Sequence, residues 1–453
     1  MSEQATKDGR DASCLKLVKR AHEFAQRRDF SGASALLKES LAIDFSMPMA
    51  HNNLGWALQM LGEPEQAKSA YRMAIELNST FDLPRRNLAE LEYLCGQRAS
   101  AIDGYQELVR LYSESRTIWS EALDLALKCR AFAFASECAE KLSQIDHGLN
   151  ARSPVAVGKQ VTTAKLEHDL EQAHYLTAVG KANAEVLAAV EPIRGALETM
   201  HACNGRRPLV EFQDPAFLLA YNRLLQVHPA PRADGGALAE SWRQSGLERK
   251  YLEGSDRFSV IDGFLTQTSL RGLQKFCLES TIWFENRYDH GRLGAFLRSG
   301  FNCPLLFQIA EELRERLPNL INERHELTQV WAFKYSRSQP ATAPHADFAA
   351  VNVNFWITPD DANTDPEGGG LVIHDVEAPL SWTFEQYNSR GNQTRPYVDQ
   401  MSKKSTRIPY RCNRAVIFHS DLFHATDAFA FRPGYENRRI NITMLFGVRE
   451  DEQ

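Results

Sequence analysis

The sequence predicts a multidomain chain, an all-α helical-repeat solenoid followed by an α+β domain of short antiparallel strands. Three observations predict it. Ala33, Ala67, Ala101 and Ala135 return at intervals of 34 residues through the first third. Residues 161–200 carry apolar side chains at helical spacing. From residue 328 onward, β-type runs dominate: VWAFKYS, AVNVNFWIT, GGLVIHD, RAVIFHS and RINITMLFG.

The 453 residues supply two or three domains with core to spare. Lys+Arg is 52 and Asp+Glu is 58, a net charge of −6. That balance argues against a general phosphate-backbone binder, so no nucleic acid partner is expected. No apolar stretch approaches the ~18 residues of a membrane span, and the first thirty residues lack a signal-peptide core. A membrane partner is therefore not expected either. The eight cysteines form no CxxC pair, which fits a reducing compartment and a cytoplasmic protein.

The period has a physical reason. Two short antiparallel helices need a small residue where they cross and a bulky one beside it. One such hairpin cannot bury its apolar face alone, so copies stack. Four residues after each alanine stand Leu37, Tyr71, Tyr105 and Ala139. Twelve before them stand Ala21, Gly55, Ala89 and Leu123, and Gly62 and Gly96 mark the turns. Trp119 holds the early aromatic position of the fourth copy. The stretch HNNLGWALQMLGEPEQAKSAYRMAIELN (51–78) resembles the tetratricopeptide repeat, and the resemblance covers residues 14–147. It implies a concave groove for a peptide or protein partner; a rigid shoulder for a neighbouring domain is the plainer reading.

Residues 148–250 read as a helical connector and linker. Pro192 is expected to break or kink its helix. PAPRADGG (229–236) reads as linker. His168 and His174, six apart, do not face one metal and read as core or solvated histidines. Residues 251–453 form the third region. FSVIDGFLT (257–265) reads as a strand and turn, and 268–286 and 304–316 as amphipathic helices.

This third region carries the chemistry. Non-haem iron oxygenases hold the metal with two His and one carboxylate, leaving positions open for co-substrate and O2. Two His-x-Asp pairs occur, His345-x-Asp347 and His419-x-Asp421. His345 and Asp347 close a strand-like run, where residues two apart point the same way. A long strand, a Gly-rich turn and further strands follow before His424, and Arg439 opens the final strand. The second pair has too little chain after it to build a barrel. His419 competes with His424 as the distal ligand, and His424 is preferred.

Tyr335, His345-x-Asp347, Gly369-Gly370-Leu371, Phe418…His424 and Arg439-x-Asn441-x-Thr443 together resemble the Fe(II)- and 2-oxoglutarate-dependent dioxygenases of the prolyl-hydroxylase-like group, over residues 257–449. The resemblance implies a double-stranded β-helix (jelly-roll, cupin-like). It implies Fe(II) on His345, Asp347 and His424, with 2-oxoglutarate and O2 as co-substrates. Arg439 would grip the distal carboxylate of 2-oxoglutarate, since a guanidinium fork matches a carboxylate. Tyr335, Asn354, Trp356 and Asn441 would line the same pocket. The reaction implied is hydroxylation of a C–H bond with release of succinate and CO2. Halogenating relatives lack the carboxylate, which is present here. Nucleic-acid demethylating relatives carry a second Arg six positions after the first, where this chain has Leu445.

His374 and Asp375 are read as a loop pair or substrate-side contact, Arg438 as solvated on the opposite strand face, and Cys303 and Cys412 as packed thiols. Three functions compete: an oxygenase of a protein or peptide side chain recruited by the solenoid, an oxygenase of a small metabolite with the repeats used for assembly, and a non-catalytic binding scaffold.

Overall fold

The computed structural model describes residues 2–151, 160–201, 206–243, 246–254, 256–388 and 391–449. Two compact units divide at Ala131/Phe132. The first is all-α: α1 (Ser2–Gln26), α2 (Phe30–Ile43), α3 (Pro48–Met60), α4 (Pro64–Leu77), α5 (Asp82–Leu94), α6 (Arg98–Leu111) and α7 (Arg116–Cys129). The alanines of the 34-residue period explain the pairing. Ala33, Ala67 and Ala101 are at most 1% exposed, so neighbouring helices close over them. Arg28, Gly62, Gly96 and Arg130, again 34 apart, all adopt the left-handed conformation (φ +62°, +77°, +78° and +59°). The period therefore dictates the turn geometry, and glycine fills it at only two of the four sites.

Gly55 in α3 shows why a small residue is needed. A Cβ there would lie 2.6 Å from the Tyr71 ring, which is fully buried with its hydroxyl donating to Gln59 Oε1 at 2.9 Å. Glycine-to-alanine changes normally favour a helix by about 1 kcal/mol. Here overpacking reverses the sign: Gly55→Ala is expected to lower stability by about 1–3 kcal/mol, read as a fall in the urea midpoint.

The second unit begins with α8 (Phe132–His147), β1 (Gln160–Thr162), α9 (Thr163–Ala178), α10 (Ala184–His201), β2 (Arg206–Pro208) and α11 (Pro215–Ala220). The expected boundary at 147/148 differs from this division, because α8 belongs with the second unit. The connector expected over 148–250 is likewise part of that unit. Gln172 on α9 donates to the Leu278 and Ser280 carbonyls, at 3.1 and 2.9 Å. Residues 152–159, 202–205 and 244–245 of that connector, and 450–453, lie outside the described residues. Pro192 does not end its helix; α10 runs through it, and the break falls earlier, at left-handed Gly180. The expected linker 229–236 is strapped down, with the Ala233 N–H donating to Gln308 Oε1 at 2.7 Å. His168 is fully buried with its Nδ1 3.0 Å from Asp169, whereas His174 is exposed.

The β-rich part follows α12 (Leu247–Glu253). Its elements are β3 (Phe258–Asp262), α13 (Gln267–Glu279), β4 (Leu293–Phe296), α14 (Pro304–Arg316), β5 (Leu327–Lys334), β6 (Ser338–Gln339), β7 (Val351–Trp356), β8 (Leu371–Glu377), α15 (Phe384–Tyr387), α16 (Thr394–Met401), β9 (Ser405–Ile408), β10 (Arg414–His419), β11 (Leu422–Thr426), β12 (Phe429–Ala430) and β13 (Ile440–Phe446). The helix expected over 268–286 stops at Glu279. A six-stranded sheet has the order β3-β10-β7-β13-β5-β4, a three-stranded sheet β11-β8-β9, and a pair β12-β6, all antiparallel.

An apolar cluster joins these sheets, with Trp356 and Val416 from the large one, Leu371 and Ile373 from the small one, and Phe429 from the pair. The other face of the large sheet lies under α13, where Gln274 Nε2 donates to the Ile357 carbonyl at 2.7 Å. Coverage on both faces leaves β7 and β13 buried along their whole length. Their asparagines, Asn352, Asn354 and Asn441, are therefore buried polar groups that need partners.

Candidate metal centre and anion pocket

His345, Asp347 and His424 come together, each offering a ligand atom within 4.8 Å of the others. The local reason differs from the expected strand. His345 makes a single antiparallel bridge with His424, through N–H···O bonds of 3.0 and 2.9 Å. The Asp347 N–H then donates to the Ser420 carbonyl at 3.1 Å. Two backbone anchors to the β10–β11 corner thus aim both side chains at His424.

The imidazole tautomers follow from their partners. His345 Nδ1 lies 3.3 Å from the Ala343 carbonyl, and His424 Nδ1 lies 3.0 Å from the Leu422 carbonyl. A carbonyl only accepts, so each Nδ1 carries hydrogen and each Nε2 keeps its lone pair. His424 Nε2 stands 3.4 Å from Asp347 Oδ2. Burial, with His424 adjacent, holds His345 down to about 4, so it is neutral at neutral pH. Burial would raise the Asp347 carboxyl, but the adjacent His424 and His345 imidazoles and the hydrogen bond from Asn352 outweigh it and hold it below the ordinary carboxylate value. A neutral imidazole beside an ionised carboxylate suits a divalent cation.

Asn352 was not singled out in the sequence. Its Nδ2 donates to Asp347 Oδ2 at 2.5 Å and fixes the carboxylate. It shares strand parity with Asn354 and Trp356, and that was the available signal. Asn352→Ala is expected to weaken Mn(II) binding by about 10–100-fold, read by calorimetric titration, with the fold retained.

Beside the triad, Arg439 is 1% exposed. Its Nε donates to the Gly369 carbonyl at 2.8 Å and its Nη1 to Asn441 Oδ1 at 3.2 Å. Tyr335, Trp356, Tyr410 and Phe429 wall the guanidinium, with ring centroids 4.8–5.8 Å away. Among the described residues no carboxylate pairs with it. A buried cation without a counter-charge is costly and marks a place for an anion. Tyr335 is 1% exposed; burial would raise its hydroxyl, but Arg292 and Arg439 outweigh burial and hold it below the usual phenol value. Asn354 Nδ2 donates to Thr443 Oγ1 at 3.1 Å. Buried Asn352 Oδ1, Asn354 Oδ1 and Trp356 Nε1 have no partner among the described residues. These orphaned atoms line the sheet face shared with Arg439, which fits a polar ligand there.

The competing pair is occupied elsewhere. His419 Nδ1 lies 3.5 Å from Glu377, and Asp421 is ion-paired with Arg449. His374 and Asp375 are strand residues of β8 rather than loop, with Asp375 accepting from Ser402 Oγ at 2.8 Å. Arg438 is not solvated; its Nε donates to Glu171 on α9 at 2.8 Å. Cys303 and Cys412 are free thiols, both pushed up to about 12 by burial.

The family model described as "Tetratricopeptide repeat" matches residues 48–81. The N-terminal unit is thus a tetratricopeptide-type solenoid, followed by a β-rich region of antiparallel sheets. Among solved structures, the first TPR of Spaghetti (RPAP3) bound to an HSP90 peptide matches with 16% identity and a TM-score of 0.25, covering 27% of this chain and 94% of that one. The second TPR domain of human RPAP3 in complex with an HSP70 peptide matches with 14% identity and a TM-score of 0.24, covering 26% and 97%. MamA matches with 19% identity and a TM-score of 0.27, covering 31% and 78%. No curated protein matches the chain. No helix among the described residues is long and apolar enough to cross a membrane.

Proposed function

We propose that the β-rich region is a double-stranded β-helix oxygenase that binds Fe(II) through His345, Asp347 and His424 and 2-oxoglutarate through Arg439, hydroxylating a C–H bond with release of succinate and CO2. One observation carries the reading: a two-His, one-carboxylate cluster lies in the same core as a buried guanidinium that has no carboxylate partner among the described residues. Bound iron, with O2 and 2-oxoglutarate, supplies the oxidising power. The chain's own residues do the rest. Asn352 orients the carboxylate, the two backbone carbonyls hold the imidazole tautomers, and Arg439 with Tyr335 orients the co-substrate. Trp356, Tyr410 and Phe429 keep water from the guanidinium.

A protein or peptide substrate is favoured over a small metabolite by the solenoid. Met49, Trp56 and Met60 on α3 are 59%, 40% and 43% exposed and lie seven and four residues apart, a stripe an extended apolar peptide could cover. A cytoplasmic setting, which keeps iron ferrous and the described cysteines as thiols, belongs to the same reading. The test is succinate release in the presence of peptide pools. Release that rises with peptides and is lost in His345→Ala supports the proposal. Stimulation by small metabolites alone would replace the substrate class, and turnover unchanged in the variant would end it.

A further inference from the structure

The distal-carboxylate pocket contains a second arginine that no sequence motif marks. Leu293 of β4 and Ile440 of β13 both pair with Lys334 of β5, one on each side. One step along, Arg292, Tyr335 and Arg439 continue that row across three strands, and the Tyr335 N–H donates to the Arg439 carbonyl at 3.0 Å. Strand alternation turns Tyr335 away from Lys334. Lys334 is buried on the opposite face, its Nζ donating to the Cys277 carbonyl at 3.0 Å and to the Tyr435 hydroxyl at 2.7 Å.

The Arg292 guanidinium lies 4.4 Å from the Tyr288 ring, 4.5 Å from Phe333 and 5.8 Å from Tyr335. That of Arg439 lies 4.8 Å from the Tyr335 ring on its own side. Both guanidiniums therefore border the Tyr335 ring, and their charges together hold its hydroxyl below the usual phenol value. Neither pairs with a carboxylate among the described residues. Two cations around one phenol repel each other unless an anion lies between them. Arg292 is half-buried and rests on aromatic faces, so its head is held in place.

We propose that Arg292 is a second guanidinium of this anion pocket, acting with Arg439 across Tyr335 so that the site selects 2-oxo acids bearing a distal carboxylate. The inference rests on the oxygenase reading above and adds to it the residue that sets co-substrate specificity. The test is anaerobic calorimetry on the full chain loaded with Mn(II), titrated with 2-oxoglutarate and, separately, with oxalate, which chelates the metal but has no distal carboxylate. Arg292→Gln is expected to weaken 2-oxoglutarate by about tenfold or more, the size of a lost charge-assisted hydrogen bond, and to leave oxalate and Mn(II) binding unchanged. Arg292→Lys should recover part of the loss.

Equal 2-oxoglutarate affinity in Arg292→Gln and wild type would overturn the proposal while leaving the oxygenase reading intact. Parallel loss of Mn(II), oxalate and 2-oxoglutarate in both variants would also overturn it, as the mark of a structural role. A wild-type chain that binds Mn(II) but no 2-oxoglutarate would overturn both.

Discussion

Asp347→Ala is expected to lower Mn(II) or Fe(II) affinity by more than about 100-fold, beyond the loss caused by removing a supporting residue. The carboxylate is the cluster's only anion, held ionised by His424 and Asn352 against the cost of burial. Without it, two imidazoles in a buried site would have to offset a divalent charge alone. The fold should survive, because the backbone anchors at His345 and Asp347 do not involve the side chain. Calorimetric metal titration beside a melting curve checks both halves. Wild-type metal affinity in a folded Asp347→Ala protein would remove the triad from the account.

Arg439→Met is expected to separate ligand binding from stability. Its head group is buried among aromatic rings, with one carbonyl and one amide oxygen as partners and no carboxylate among the described residues. Desolvation of that charge is offset only when an anion binds. Removing it should therefore raise the Kd for 2-oxoglutarate by at least about 30-fold, the factor for a lost buried charge pair of about 2 kcal/mol. The unliganded protein should be as stable as wild type, or more stable by about 1 kcal/mol, because a methionine fills the volume without a buried charge. Urea melts with and without 2-oxoglutarate read both quantities. A strongly destabilised variant with unchanged affinity would make Arg439 a structural cation.

The parts of this molecule that were legible in the sequence are those written in local periods. The 34-residue alanine period is visible because each copy must leave the same gap between its helices, as Gly55 does under Tyr71. Strand alternation placed Asn354 and Trp356 on one face, and the structure finds both there, with unpartnered atoms on the buried side. The His-x-Asp spacing picked out the pair that lies together with His424, although the geometry comes from two backbone anchors and not from a strand. What could not be read depends on pairing between distant segments. Arg292 reaches the pocket only through the β4–β5–β13 register, which no local pattern encodes. Asp421 looks like a ligand until its distant partner Arg449 is seen. Arg438 looks solvated until α9 is placed beside it. The segment 148–250 reads as connector because its hydrogen bonds run to residues about a hundred positions away.

The most direct test of the central claim is an anaerobic equilibrium titration with Fe(II), then with 2-oxoglutarate, on wild type and His424→Ala. The expected result is one Fe(II) per wild-type chain, 2-oxoglutarate binding that tightens when the metal is present, and loss of both in the variant. Fe(II) bound equally by wild type and His424→Ala, or 2-oxoglutarate binding indifferent to the metal, would contradict it.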